Sequence, residues 1–403
     1  MRKLPILFVL ITLISCNNNP QNFLTEGIWK AELQLKENLE LPFNFEVTSP
    51  NAIKIFNADE VILVNDIRYS NDSVYIKMPV FEGYIAAKMT KNSLKGSFIK
   101  ESLDRVVPFK AEFNTVNRFE FSSEANYNVS GNWETVFSPK SYEDSYMAKG
   151  IFNQEGNLIT GTFRTTTGDY RYLEGVIDGD QMKLSTFDGA HAFLFTATVT
   201  DSMMKGAFYS GNHWEEPFEA KRNDNYELPD ENKLTFLKEG YDAFEFSFPN
   251  ASGEMVSLSD KRYKDKVVLV QIMGTWCPNC LDESKYYSEY YNANKDKDVE
   301  IVALAFEYAK TKEKAFKSIE RLQNDVGINY PILLAQYGTS SKIKASEKLP
   351  MLNHVLSYPT TIFIDKKGKV RKIHTGFNGP ATGTKYTVFK NEFNTFVDEL
   401  LQE

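Results

Sequence analysis

Val267-Val268-Leu269-Val270-Gln271-Ile272-Met273-Gly274-Thr275-Trp276-Cys277-Pro278-Asn279-Cys280 is the stretch on which the fold of this 403-residue chain turns. Residues 267–273 are apolar except for Gln271, the pattern of a strand buried on both faces. Pro278 suits the first turn of a helix, where a missing N–H costs nothing and a fixed φ matches the helical backbone. Cys277 is then expected at the cap, with free backbone N–H groups and the positive end of the helix dipole aimed at its sulfur. Both effects favour thiolate over thiol. Cys280 follows three residues later on the same helical face, close enough to form a disulfide with Cys277 or to resolve a mixed one. The expected roles are nucleophile for Cys277 and resolving thiol for Cys280.

Outward from this motif, strand and helix patterns alternate. A second apolar run covers 301–306, and helical spacing connects Ala315, Phe316, Ile319 and Leu322, then Tyr386, Phe389, Phe393, Phe396, Val397 and Leu400. Shorter strand candidates cover 331–335, 360–364 and 370–375, the last two joined by Lys366-Lys367-Gly368 as a hairpin turn. Residues 234–403 therefore read as an α/β domain, preceded by the polar, charged stretch 223–233 as a linker.

The order strand, Trp-Cys-x-x-Cys, helix, and later Tyr358-Pro359-Thr360 before a strand, resembles the thioredoxin fold. The resemblance implies a cis Pro359 beside the cysteine pair and a Tyr358 whose backbone groups meet an extended substrate segment. Trp276 and Pro278 belong to the same substrate-facing surface by that resemblance. Over about residues 244–403 the chain further resembles the TlpA-like (ResA-type) branch of exported thiol-disulfide oxidoreductases. Residues 248–250 and 257–260 look like that branch's N-terminal hairpin, and 331–356 like its inserted strand and helix. Glu283 matches an acidic position that the branch uses to tune proton transfer. Gln271 departs from thioredoxin itself, which has a buried acid at that strand position, so help for Cys280 would fall to Glu283. The same Glu283 also reads as a solvated first-turn acid favoured by the helix dipole. What the resemblance implies is a thiol-disulfide oxidoreductase, a disulfide reductase or isomerase. It would act on protein thiol and disulfide clients, be kept reduced by a membrane electron donor, and use no cofactor beyond the cysteine pair.

Ahead of this domain the chain repeats itself at an offset of roughly one small β-domain. Gly27-Ile28-Trp29 recurs as Gly131-Asn132-Trp133, Leu94-Lys95-Gly96-Ser97-Phe98 as Met204-Lys205-Gly206-Ala207-Phe208, and Pro108-Phe109-Lys110-Ala111 as Pro217-Phe218-Glu219-Ala220. Alternating runs such as 53–56, 74–78, 158–164 and 193–199 are parted by turn residues, which predicts antiparallel β structure in both copies. The fold class expected is thus multidomain: two tandem all-β modules, barrel- or sandwich-like, at 27–115 and 131–222, then the thioredoxin-like domain. Whether the modules close separately or jointly is left open by the pattern. Trp29, Trp133 and Trp214 read as core plugs or rim aromatics. His191 and His213 lack a second ligand at metal spacing and read as structural or surface residues.

At the start, Arg2 and Lys3 precede the apolar run 4–15, which fits a signal peptide (1–15) and is too short to span a bilayer. Leu13-Ile14-Ser15-Cys16 resembles a bacterial lipobox, which implies acylation of Cys16 and a polar tether over 16–26. The expected location is the bacterial cell envelope, anchored to the lipid bilayer through Cys16 and facing the periplasm. A net charge of −8 without a long basic run excludes a nucleic-acid partner. Three cysteines exclude a disulfide framework and concentrate chemistry on Cys277 and Cys280. Other readings remain: a Cu(I) carrier using the two thiols with His354 or His374, although the x-x spacing is tight for it; a peroxidase, although no Pro-x-x-x-Thr-x-x-Cys precedes Cys277; and a binding lipoprotein working through its β-modules.

Overall fold

A computed structural model describes residues 23–403, so the signal segment and Cys16 lie outside the described residues. The chain folds into two barrel-like all-β sheets followed by a thioredoxin-like α/β domain. The first sheet has nine antiparallel strands, from Gly27–Lys36 to Arg105–Phe113. Alternation along the first strand buries Trp29, Ala31 and Leu33 on one face. The two edge strands, Glu60–Val64 and Asp66–Ser70, follow one another in sequence with only Asn65 between them. The sheet must therefore coil until its edges meet at that corner, although no ladder joins them among the described residues.

The second sheet runs from Gly131–Phe137 to Trp214–Arg222 and does close, through a ladder between Tyr146–Glu155 and Leu158–Thr165. Closure leaves no free edge in the ring. The repeated Gly-x-Trp performs the same task twice. Gly27 and Gly131 hold φ of 124° and 113°, a region closed to most side chains. Trp29 and Trp133 are wholly buried, and each indole donates to a carbonyl four residues back, on Thr25 and Val129, at 2.9 Å. Trp214, by contrast, is 50% exposed.

In the third domain the five-stranded sheet places Val267–Met273 at its centre, parallel to Val299–Phe306 and antiparallel to Thr360–Ile364. Ile332–Gln336 and Val370–Thr375 form the edges, and helices α1 (Pro278–Ala293), α2 (Lys312–Val326), α3 (Lys342–Lys348) and α4 (Thr384–Gln402) complete the domain. Helix α2 buries Ala315, Ile319 and Leu322, and α4 buries Phe389, Phe393, Val397 and Leu400, the one-face spacing of amphipathic helices. Helix α1 exposes only a narrow stripe, Lys285, Glu289 and Asn292, with the residues at its C-terminal end. Phe393 packs on Tyr286, Tyr287 and Tyr290 from one side, and Arg171 of the second module meets Asp282 from another, so polar as well as apolar residues are buried. No helix among the described residues is long and apolar enough to cross a membrane.

The three units share apolar seams. Phe187 of the second module stacks on Phe43 of the first at 4.3 Å and meets Phe98 edge-on at 5.0 Å. Val80 and Phe81 of the first module lie in the core of the third domain. The stretch 223–233 contains no helix or strand and is tied on both sides. Glu227 pairs with Lys149 at 2.7 Å, and Glu231 pairs with Lys385 at 2.6 Å and accepts from Thr375 N at 3.0 Å.

Candidate active site

Cys277 caps α1 with extended backbone (φ −100°, ψ 114°) and Pro278 takes the first helical position. The Cys277 Sγ accepts the Cys280 N–H at 3.2 Å, an orphan donor of the first turn. The Cys277 thiol also donates to the Tyr358 carbonyl at 3.4 Å, and the peptide bond from Tyr358 to Pro359 is cis. Trp276 donates its indole N–H to Phe306 O at 2.9 Å and sets its ring edge-on to Tyr358 at 5.6 Å. Trp276, Cys277, Pro278, Cys280, Tyr358 and Pro359, far apart in sequence, are thus assembled at one end of the central strand. Both thiols are free, Cys277 7% exposed and Cys280 0%.

Glu283 is fully buried, one turn below the cysteines, and so is not a solvated acid. Gln271 Nε2 donates to its Oε2 at 2.8 Å and the Thr361 hydroxyl donates to its Oε1 at 3.0 Å. The Tyr287 hydroxyl lies 3.2 Å from the same oxygen and 2.9 Å from Thr361. Gln271 and Thr361 reach the carboxyl together because their strands pair them directly. Burial pushes the Glu283 carboxyl up to about 7, with the hydrogen bonds from Gln271, Thr361 and Tyr287 opposing. Burial, then Cys277, and also the Glu283 charge push the Cys280 thiol well up, so a resolving step at neutral pH needs a base beside it. A carboxyl that titrates near 7 is matched to that task.

The sign of the pH dependence follows. Only the carboxylate form of Glu283 accepts a proton, so resolution by Cys280 is expected to quicken as pH rises through about 7. Glu283→Gln should remove that limb from the pH–rate profile of mixed-disulfide resolution. A profile identical to wild type would return Glu283 to a packing role. Because its folded pKa exceeds the unfolded value, Glu283 stabilises the fold most in acid and less as pH rises toward about 7. Stability of the glutamine variant should therefore vary less over that range.

Other contributors carried no sequence signal. Glu307 accepts from the Thr275 N–H and hydroxyl, both at 2.8 Å, and so fixes the loop that carries Trp276. Burial pushes Glu307 up to about 7. The larger omission is a loop of the second module, between strands Leu158–Thr165 and Leu173–Asp178, that covers the catalytic face. Ser357 Oγ donates to Thr167 O at 2.8 Å and Asn279 Nδ2 to Asp169 O at 3.2 Å. Gly379 N donates to Asp169 Oδ2 at 2.6 Å, and Arg164 Nε to Asn378 Oδ1 at 3.0 Å. Gly168 has φ 143°, and a Cβ there would fall 2.0 Å from Asn279 Nδ2, so only glycine permits this approach. The loop thus lies beside the backbone expected to receive an extended client. His354 and His374 are engaged away from the thiols, by Leu234 O and Asn232 Oδ1, each at 3.1 Å. No cluster of three or more His, Cys, Asp or Glu suited to a metal ion occurs among the described residues.

The third domain is similar in sequence to known proteins. The AhpC/TSA family matches residues 240–373. The thioredoxin-like protein YneN of Bacillus subtilis is 32% identical over 140 residues, which cover 35% of this chain and 73% of that protein. The chain belongs to the thioredoxin-like thiol-disulfide oxidoreductases. The thiol-disulfide oxidoreductase ResA of the same organism is 31% identical over 140 residues, 35% of this chain and 69% of its own. Solved structures include a thiol-disulfide isomerase from Corynebacterium glutamicum, which shares 15% identity over 41% of this chain and 99% of its own with a TM-score of 0.32. A thioredoxin-family thiol:disulfide interchange protein from Chlorobium tepidum shares 19% identity over 41% of this chain and 98% of its own, with a TM-score of 0.30. This oxidoreductase carries its two β-modules ahead of the matched region, 240–373.

Proposed function

We propose that this oxidoreductase is a disulfide reductase or isomerase whose redox centre is the Cys277 and Cys280 pair. The observation that carries the reading is Cys277 Sγ at the cap of α1, accepting the Cys280 N–H at 3.2 Å and touching the Tyr358 carbonyl beside cis Pro359. The Cys277 thiolate attacks one sulfur of a client disulfide, and the client's other sulfur leaves as thiolate. Cys280 gives its proton to Glu283 and attacks Cys277 Sγ, which releases the second client thiol and leaves the pair oxidised. Two electrons from a membrane donor then restore the dithiol. No cofactor is needed, because the pair itself holds both electrons.

Protein thiols and disulfides are the clients in this reading. The lipobox-like Leu13-Ile14-Ser15-Cys16 supports attachment to a bilayer through Cys16 and a position in the bacterial cell envelope, facing the periplasm. An oxidising compartment also gives a lone Cys-x-x-Cys more use in exchange than in architecture. The test is to equilibrate the protein with glutathione buffers and map the thiols by mass. The expected result is a bond between Cys277 and Cys280 with a potential near or below about −230 mV. A potential near about −120 mV would reverse the direction to disulfide formation. No bond between the two would overturn the assignment.

A further inference from the structure

Beside Trp276 lies a cavity of about 250 Å³ where both β-modules meet the third domain. Lys100 and Arg105 of the first module, His191 and His213 of the second, and Trp276 and Tyr308 of the third line it, and no Asp or Glu does. Carboxylates near these cations are already engaged. Asp104 pairs with Lys310 at 3.3 Å, Asp188 with His191 at 3.2 Å and Arg171 at 3.5 Å, and Glu82 accepts from the Tyr308 hydroxyl at 2.9 Å. The Lys100 amine reaches only the Ala190 carbonyl, at 2.9 Å, and among the described residues neither Lys100 nor Arg105 has an ion-pair partner. Burial lowers Lys100 to about 8, which leaves it mostly protonated at neutral pH. A largely desolvated Lys100 without a counter-charge is costly, and an anion in the cavity, which the half-buried Arg105 also lines, would offset that cost.

Building on the redox function proposed above, we propose that this cavity holds the carboxylate of a small thiol or disulfide substrate of the Cys277 centre. Its volume is below the roughly 300–1,000 Å³ of pockets for drug-sized ligands, so it fits one short acidic arm, and a small disulfide carrying such an arm is then a substrate beside the protein clients. Exchange is balanced as RSSR plus the enzyme dithiol giving two RSH and the enzyme disulfide, with electrons from the donor already invoked.

The test compares three small disulfides on the full chain: 3,3′-dithiodipropionate, neutral 2-hydroxyethyl disulfide and cationic cystamine. The kcat/KM for the dianion is expected to exceed that for the neutral compound by roughly tenfold or more, the effect of one or two charge-assisted hydrogen bonds, with cystamine lowest. The ratio should fall toward one in the double variant Lys100→Gln, Arg105→Gln and survive in Arg105→Lys. A ratio cancels any common loss of folding or chemistry. Calorimetry with adipate, a dicarboxylate without sulfur, reads the cavity independently of exchange, and adipate should bind wild type and not the double variant. Turnover of the neutral disulfide with no charge preference and no adipate binding would overturn this inference alone. Adipate binding without turnover of any disulfide would leave the anion site standing and remove the redox function. A preference that persists in the double variant would overturn the assignment to Lys100 and Arg105.

Discussion

Cys277→Ser should take disulfide exchange down to the uncatalysed background. A hydroxyl in place of the thiol removes the nucleophile, and loss of a covalent nucleophile costs on the order of 10⁶ in rate in well-studied cases. The fold should persist, because Cys277 caps α1 through an acceptor that a serine hydroxyl supplies equally well. Cys280→Ser should behave differently. Its Cys277 still attacks, but nothing resolves the adduct, so one client remains bound per enzyme as a mixed disulfide. Non-reducing electrophoresis and mass mapping distinguish the two variants. Full turnover in Cys277→Ser, or no trapped adduct in Cys280→Ser, would remove the assignment of roles.

The second large effect is expected at Arg171, where all three units converge. Its guanidinium is 4% exposed and pairs with Glu60 of the first module at 2.6 Å, with Asp188 of its own module at 3.5 Å, and with Asp282 of α1. Burial pushes the Asp188 carboxyl up, yet His191 and Arg171 hold it below the usual carboxylate range. Arg171 itself sits at φ 65°, a conformation that non-glycine residues keep only where surrounding contacts enforce it. Removing one partner of a buried ion pair leaves uncompensated charge and costs about 3–5 kcal/mol. Arg171→Ala should therefore lower the free energy of unfolding by about 3–5 kcal/mol, read as a lower unfolding midpoint, and loosen the cover over Cys277, so that iodoacetamide alkylates the thiol faster. Arg171→Lys keeps the charge but loses the fork that serves three carboxylates, and should recover only part of the stability. An unchanged midpoint together with unchanged alkylation would show that the junction does not hold the cover in place.

Sequence by itself determined whatever rests on local pattern. The apolar run 267–273 marked a fully buried strand, Pro278 placed Cys277 at the cap, and the spacing from Ala315 to Leu322 and from Tyr386 to Leu400 marked α2 and α4. The repeat was legible because Gly-x-Trp needs a positive φ and a buried indole in each copy. These signals survive in one dimension because backbone conformation and burial follow periods of two and 3.6 residues. Tertiary structure decided the rest. Closure of the second sheet depends on Tyr146–Glu155 pairing with Gly131–Phe137 and Leu158–Thr165 with Leu173–Asp178 while the two also pair with each other. Glu283 became a carboxyl titrating near 7 because the packed domain buries it, while Gln271 and Thr361, paired on neighbouring strands, supply the hydrogen bonds that offset part of that shift. Asp282 of helix α1 became buried because Arg171, 111 positions earlier, closes over it. Partners so distant leave no periodic trace: nothing local to Arg171 or Asp282 announces the other, and only the packed chain sets them against one another and over the cysteines.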